Sequence, residues 1–264
     1  MTGRKLAPAA QAQFLPFEGC HNFRSVAGWR TPEGRSIQAG NVYRADGLDR
    51  LTDADQRSLI NLGITHVFDL RAAREKSEAP SRWPEGFAAT IWADAESAAE
   101  ANIMQVMAQA SPQVAQFHEA MRSVYAHLPD ELAEAVGAVA DALLESADST
   151  VLIHCSAGKD RTGFVTSALL HAVGIQPDDV LADFLLSNAC FDAAVRRFNL
   201  NGRFDALEER APGSVKALVG VDAQYLAASM QSIATRYGSF DLWLRQRVGI
   251  DDGKRAQLRD RLLA

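Results

Sequence analysis

The feature that most constrains this chain is a short apolar run, residues 151–155. It passes directly into a glycine-punctuated turn and then into Val165, Ala168, Leu169 and Ala172 at helical spacing. Strand, tight loop and helix in that order belong to an α/β domain, because a strand buried on both faces of a parallel sheet reads as a continuous apolar stretch. The remainder of the chain repeats the alternation. Extended segments are expected at residues 22–26 and 41–44, with the turn signals Thr31-Pro32-Glu33-Gly34 between them. Thr52 caps a helix that Gly63 ends, residues 64–70 read as a buried strand, and residues 88–92 as another. Ser111-Pro112 and Pro129-Asp130 read as helix starts, giving three successive helices across about residues 95–145. Beyond Gly174 the signals stay helical, with openings at Pro177, Asp222, Ser239 and Asp251. The expected fold is a central, mostly parallel sheet flanked by helices, with residues 1–13 as an N-terminal extension and 14–264 as a single domain.

Composition excludes several classes of function. A formal net charge of -6 argues against broad electrostatic binding to nucleic acid or an anionic membrane surface, so any anion site must be local. The three cysteines, Cys20, Cys155 and Cys190, lack paired spacing, which suggests neither a disulfide framework nor a zinc site. The six histidines lack zinc-ligand spacing, and no metal or cofactor is expected. There is no 18-residue apolar run and no signal peptide, so the expected location is cytoplasmic, without an integral membrane segment.

Residues 154–163 read His-Cys-Ser-Ala-Gly-Lys-Asp-Arg-Thr-Gly, with five residues between Cys155 and Arg161. A loop this short, running into a helix N-terminus, can curl so that successive N–H groups converge on one centre, which suits a tetrahedral dianion. Ser156, Ala157, Gly158, Lys159, Asp160 and Arg161 are thus the candidate phosphate-binding residues. The same amides and helix dipole favour Cys155 as a thiolate nucleophile. Arg161 is placed to clamp two non-bridging oxygens with its fork of donors. Thr162 is expected to donate its hydroxyl to the sulfur, and His154 to orient the loop from the strand end. A cysteine at a strand end is commonly a small buried hydrophobe, but burial alone does not ask for this set of residues behind it. A nucleotide P-loop is excluded, because Ile153 stands where its first glycine is needed and Asp160 follows the lysine.

At these residues the sequence resembles the Cys-X5-Arg phosphatase superfamily. The Gly-Lys-Asp-Arg-Thr-Gly version resembles the bacterial atypical tyrosine phosphatases that also accept phosphoinositides. Further matching segments are Asn22-Phe23-Arg24, Val42-Tyr43-Arg44, Leu62-Gly63-Ile64, Asp69-Leu70-Arg71 with Glu75, residues 183–188 and Tyr237-Gly238-Ser239. Ser25 departs from the family, which usually carries Asp after Asn-Phe-Arg. The resemblance implies a tyrosine phosphatase-like fold and hydrolysis of phosphate monoesters through phosphocysteine. Its substrates would be phosphotyrosine proteins first, with phosphoserine, phosphothreonine or a phosphoinositide as extras, and Lys159 favours a second anionic group. It also implies a mobile helical lid, expected at residues 95–128, with Met104, Met107, Phe117 and Met121 lining it or packing in the core.

The reaction needs a proton donor for the leaving group. Asp160 inside the loop is the choice the resemblance implies; Asp94, after the strand at 88–92, is the alternative, with a helix N-cap as its bland reading. Trp83-Pro84-Glu85 reads as a turn, and Asp69 as a strand-end partner of Arg24 or Arg44, with Arg71 able to face substrate. Cys20 reads as a packed thiol and Cys190 as core. Two other functions compete with the enzyme. A catalytically silent phosphate-binding module would usually have lost the Cys or Arg, and a rhodanese-like sulfur carrier would not require the Arg161-Thr162-Gly163 helix entry.

Overall fold

A computed structural model describes residues 13–93, 105–109 and 111–264. Its sheet has five strands in the order β1-β2-β5-β3-β4. These are β1 (Arg24–Ser25), β2 (Val42–Ala45), β3 (His66–Asp69), β4 (Thr90–Trp92) and β5 (Val151–His154). The four strands β2 to β5 are mutually parallel, and β1 runs antiparallel to β2 at one edge. β5 lies centrally, Val151 opposite both Val42 and His66, and all four of its residues are buried, as its unbroken apolar run requires. This register sets His154 between Ala45 and Asp69, so the loop after β5 opens beside the ends of β2 and β3.

The first helices are α1 (Asp53–Asn61), α2 (Ala73–Glu78), α3 (Val114–Glu131), α4 (Ala133–Glu145), α5 (Arg161–Ala172) and α6 (Pro177–Leu185). The C-terminal part adds α7 (Phe191–Phe198), α8 (Arg203–Arg210), α9 (Ser214–Val219), α10 (Ala223–Tyr237), α11 (Phe240–Trp243) and α12 (Asp252–Leu262). Leu152, Val67 and Tyr43 pack with Leu59 of α1 on one side of the sheet, and Val151 and Ile153 with Val139 of α4 and Leu169 of α5 on the other. Several starts follow from local chemistry. Thr52 and Asp55 exchange capping hydrogen bonds, and the same Asp55 carboxylate receives the amides of Glu18 and Gly19, both at 2.8 Å. Asp222, Ser239 and Asp251 each cap the helix that follows.

The expected helix start at Pro129 is corrected. α3 runs through Pro129 to Glu131, and the break comes at Leu132. A proline cannot donate to the carbonyl four residues back, which leaves Tyr125 O unpaired within the helix. Ser229 Oγ of α10 donates to that carbonyl at 2.7 Å, and Trp243 Nε1 of α11 donates to Pro129 O at 3.2 Å. Phe117 and Met121 of α3 are buried in packing, while Met107 is half-buried against the cluster around Phe204. Met104 lies outside the described residues, as does most of the first part of the expected lid. Among the described residues, no helix is long and apolar enough to cross a membrane.

Candidate active site

Cys155 leaves β5 buried, and the loop closes at Arg161, the first residue of α5. Gly158 sits at φ +65, and a Cβ there would lie 2.5 Å from Ala45 O and 2.7 Å from the Asp46 amide. Glycine is therefore required twice, for the left-handed backbone and for the approach to the end of β2. Gly163 meets Phe184 of α6 less closely but still too tightly for a methyl group, its would-be Cβ at 2.9 Å from the ring.

Arg161 is held by Glu75 of α2. Nη1 reaches Oε2 at 2.5 Å and Nη2 reaches Oε1 at 2.7 Å, while Nη1 also donates to Leu70 O at 3.0 Å. The same carboxylate accepts Ser156 Oγ at 2.5 Å and the Ala72 amide at 2.8 Å. Burial alone would raise this carboxyl, but the hydrogen bonds and charge of Arg161, with Ser156 and the Ala72 amide, override it and hold Glu75 down to about 2. The loop after Cys155 and the Arg161 guanidinium are thereby tied to one ionised group, which the sequence marked only as part of a matching segment.

Asp160 and Lys159 belong to the same loop. Tyr125 of α3 donates its hydroxyl to Asp160 Oδ1 at 2.6 Å, and Lys159 Nζ donates to that same oxygen at 2.8 Å. Burial first, and then the charge of Asp160, push the Tyr125 phenol well above its usual range, so it stays a donor. Nothing local in the sequence marks Tyr125. Lys159 is largely buried and committed to Asp160. Asp94, the alternative acid, lies outside the described residues.

The remaining candidates fall around this centre. The Thr162 hydroxyl is fully buried and has no hydrogen-bond partner among the described residues, so the expected donation to the Cys155 sulfur is not made in this arrangement. His154 is fully buried, with Nε2 3.7 Å from Asp69 Oδ1; burial lowers it to about 4 against the pull of Asp69, so it stands beside Cys155 as a neutral ring. Asp69 does not pair with Arg24 or Arg44 as expected. It grips Arg71 through two contacts at 2.8 and 2.7 Å, and Arg71 turns inward to Ala79 O and Ser81 instead of facing substrate. Arg24 and Arg44 share Asp183 of α6 instead. Cys20 is buried, 2.6 Å from Asp46 Oδ1, whereas Cys190 is only half-buried and donates to His21 O at 3.0 Å, which corrects its expected place in the core. Ser25 pairs in the sheet opposite Tyr43. The segment at Pro84 is a turn, closed by the Phe87 amide on Pro84 O at 3.2 Å, as expected.

The chain is similar to known proteins over most of its length. The model of the tyrosine phosphatase family matches residues 15–264. A Cupriavidus necator protein assigned by name to the tyrosine-protein phosphatases is 32% identical, covering 98% of this chain and 93% of its own. The triple specificity protein phosphatase PtpB of Mycobacterium tuberculosis is 32% identical over 93% of this chain and 97% of its own. A tyrosine-protein phosphatase of Nostoc commune is 26% identical over 88% and 78% respectively.

Proposed function

The chain belongs to the tyrosine phosphatase family, and on that premise we propose that it hydrolyses phosphate monoesters through a phosphocysteine formed on Cys155. The observation that carries this reading is the closed set of contacts around the loop: Arg161 locked bidentately on Glu75, and Asp160 held at one oxygen by Tyr125 and Lys159. Cys155 Sγ attacks phosphorus as the bond to the leaving oxygen breaks. Arg161 presents its guanidinium to the equatorial oxygens, where charge spreads in the transition state. Both donors to Asp160 converge on Oδ1, which leaves Oδ2 as the oxygen through which a proton passes. It delivers that proton to the departing oxygen, then accepts one from the water that cleaves the sulfur–phosphorus bond and releases phosphate and the Cys155 thiolate.

Phosphotyrosine protein is the proposed first substrate, with phosphoserine, phosphothreonine and phosphoinositide as further ones; the name of the Mycobacterium relative speaks of three specificities. Lys159 was the residue that favoured an inositol lipid, and its commitment to Asp160 weakens that argument. The three cysteines are free thiols, which suits a cytoplasmic location. The test is phosphate release from an aryl phosphate in the presence of a chelator, comparing wild type with Cys155→Ser and Asp160→Asn, and then an alkyl phosphate. Cys155→Ser is expected to lose at least ~1,000-fold, and Asp160→Asn to lose far more on the alkyl than on the aryl ester. Equal rates for Cys155→Ser refute the phosphocysteine step; an unchanged alkyl rate for Asp160→Asn refutes the acid.

A further inference from the structure

The convex side of the loop is braced by side chains that no step of the proposed reaction uses. Asn22 Nδ2 donates to both Ala157 O at 3.2 Å and Gly158 O at 3.0 Å, and Arg44 Nη2 donates to Gly158 O at 2.9 Å. These donors come from outside the loop, Asn22 from the segment before β1 and Arg44 from β2. Each is fixed in turn. Asp46 Oδ1 accepts the Asn22 amide at 3.0 Å, and Asn22 Oδ1 accepts from Arg24. Arg24 continues to Asp183 O at 3.0 Å and to Ser187, while Arg44 pairs with the Asp183 carboxylate. Asn22, Arg24, Arg44 and Asp183 are all essentially buried, at 0 to 2% exposure. Within this network Arg24 Nε and Asp183 Oδ1 face each other at 3.6 Å as an ion pair without a hydrogen bond, and Arg44 Nε has no hydrogen-bond partner among the described residues.

The consequence follows from peptide planarity. In a trans peptide the carbonyl and the following N–H lie in one plane and point in opposite directions. Holding Ala157 O and Gly158 O on the outside therefore turns the Gly158 and Lys159 N–H groups to the other side, where the loop closes over its centre. A flip of either peptide would replace an anion donor with a carbonyl oxygen. From this geometry we infer that Asn22 and Arg44 are positioning residues that set the orientation of these two peptide groups and so fix the oxyanion affinity of the loop. The inference rests on the reading of residues 155–161 as the anion cradle; it adds residues that touch neither substrate nor reacting atoms.

The test uses the whole chain and inorganic phosphate as the probe, measured as a competitive inhibitor of aryl phosphate hydrolysis, with thermal melting alongside. Asn22→Ala and Asn22→Asp remove the amide donor, the second also facing the carbonyls with negative charge; Arg44→Lys keeps charge and shortens the reach. Ser187→Ala is the control, because Ser187 touches Arg24 and Arg44 but no loop carbonyl. Asn22→Ala is expected to weaken phosphate inhibition and kcat/KM by ~10-fold or more, about 1.4 kcal/mol each, with Asn22→Asp weaker still. Ser187→Ala should keep the inhibition constant within twofold even where its melting temperature falls. If the Asn22 variants do not fold, Arg44→Lys carries the same expectation. An inhibition constant within twofold of wild type in folded Asn22→Ala and Arg44→Lys overturns the inference, as does an equal change in Ser187→Ala. Failure of the underlying reading shows separately, as a wild-type protein that phosphate does not inhibit.

Discussion

Replacing Glu75 by Gln removes the charge that ties Arg161 and Ser156 together while keeping the side-chain shape. The Glu75 carboxyl is held at about 2 against an ordinary 4.5. At about 1.4 kcal/mol per decade of proton affinity, the fold favours the ionised form by roughly 3 kcal/mol. Since the native carboxyl binds its proton less readily than the unfolded one, this stabilisation is complete above about pH 4.5. It is lost as pH falls towards 2, with roughly 2 kcal/mol gone by pH 3. Glu75→Gln never has it. The variant should therefore be about 3 kcal/mol less stable than wild type at pH 7, a melting decrease on the order of 6 to 12 °C for a chain of this size, and only about 1 kcal/mol less stable at pH 3. Urea unfolding at pH 7, 5, 4 and 3 measures the gap directly. A gap that stays constant across that series, or is absent at pH 7, refutes the reasoning that Glu75 is the ionised anchor of the loop.

Two further perturbations address the strand end and the helix entry. The buried His154 takes its proton near pH 4, whereas an ordinary imidazole does so near 6.5; the unfolded chain thus binds more protons in that window, and stability should fall by up to roughly 3 kcal/mol as pH drops from 6.5 to 4. His154→Gln should flatten that slope in urea titrations, and an unchanged slope would assign the acid sensitivity elsewhere. Gly163→Ala places a Cβ 2.9 Å from the Phe184 ring and 3.4 Å from Arg44 Nη2, so it should cost about 1 to 3 kcal/mol by overpacking. Adding Phe184→Leu should return at least half of that in thermal melting, and a Gly163→Ala protein that melts like wild type would show the contact to be looser than this.

What the sequence disclosed and what it withheld divide along the reach of the interactions. The caps at Thr52, Asp222, Ser239 and Asp251 are contacts within three residues, and each lies where local chemistry placed it. β5 and its loop were legible because burial on both faces and a tight anion turn each leave a continuous signature in one stretch of chain. Pro129 was misread because the rule that proline opens helices is local, while the hydroxyl that satisfies the carbonyl it abandons belongs to Ser229 on another helix. Arg24 and Arg44 were given to Asp69 since a nearby carboxylate is the default partner; the fold brings in Asp183 from α6 and leaves Asp69 to Arg71. Tyr125 carried no signal at all, its role existing only once α3 crosses the loop.

These long-range partners also bear on how an acidic chain would hold the proposed anion site. With a net charge of -6, the surface supplies no broad positive field, so the attraction has to be built into the interior. Arg161 and Lys159 are each balanced by a carboxylate, Glu75 and Asp160. Behind Gly158 two buried guanidinium groups, Arg24 and Arg44, share the carboxylate of Asp183, and the buried Asp46 carboxylate joins the same network through Asn22. Burial, and then the neighbouring Arg44, lower Arg24 to about 9, with Asp183 opposing, and it remains protonated at neutral pH. The Asn22 and Arg44 hydrogen bonds hold the Ala157 and Gly158 carbonyls on the side away from the centre on which the loop amides would converge. The direction of those carbonyls therefore comes from one buried cluster, and the residues that would make the loop an oxyanion site lie mostly outside the loop itself.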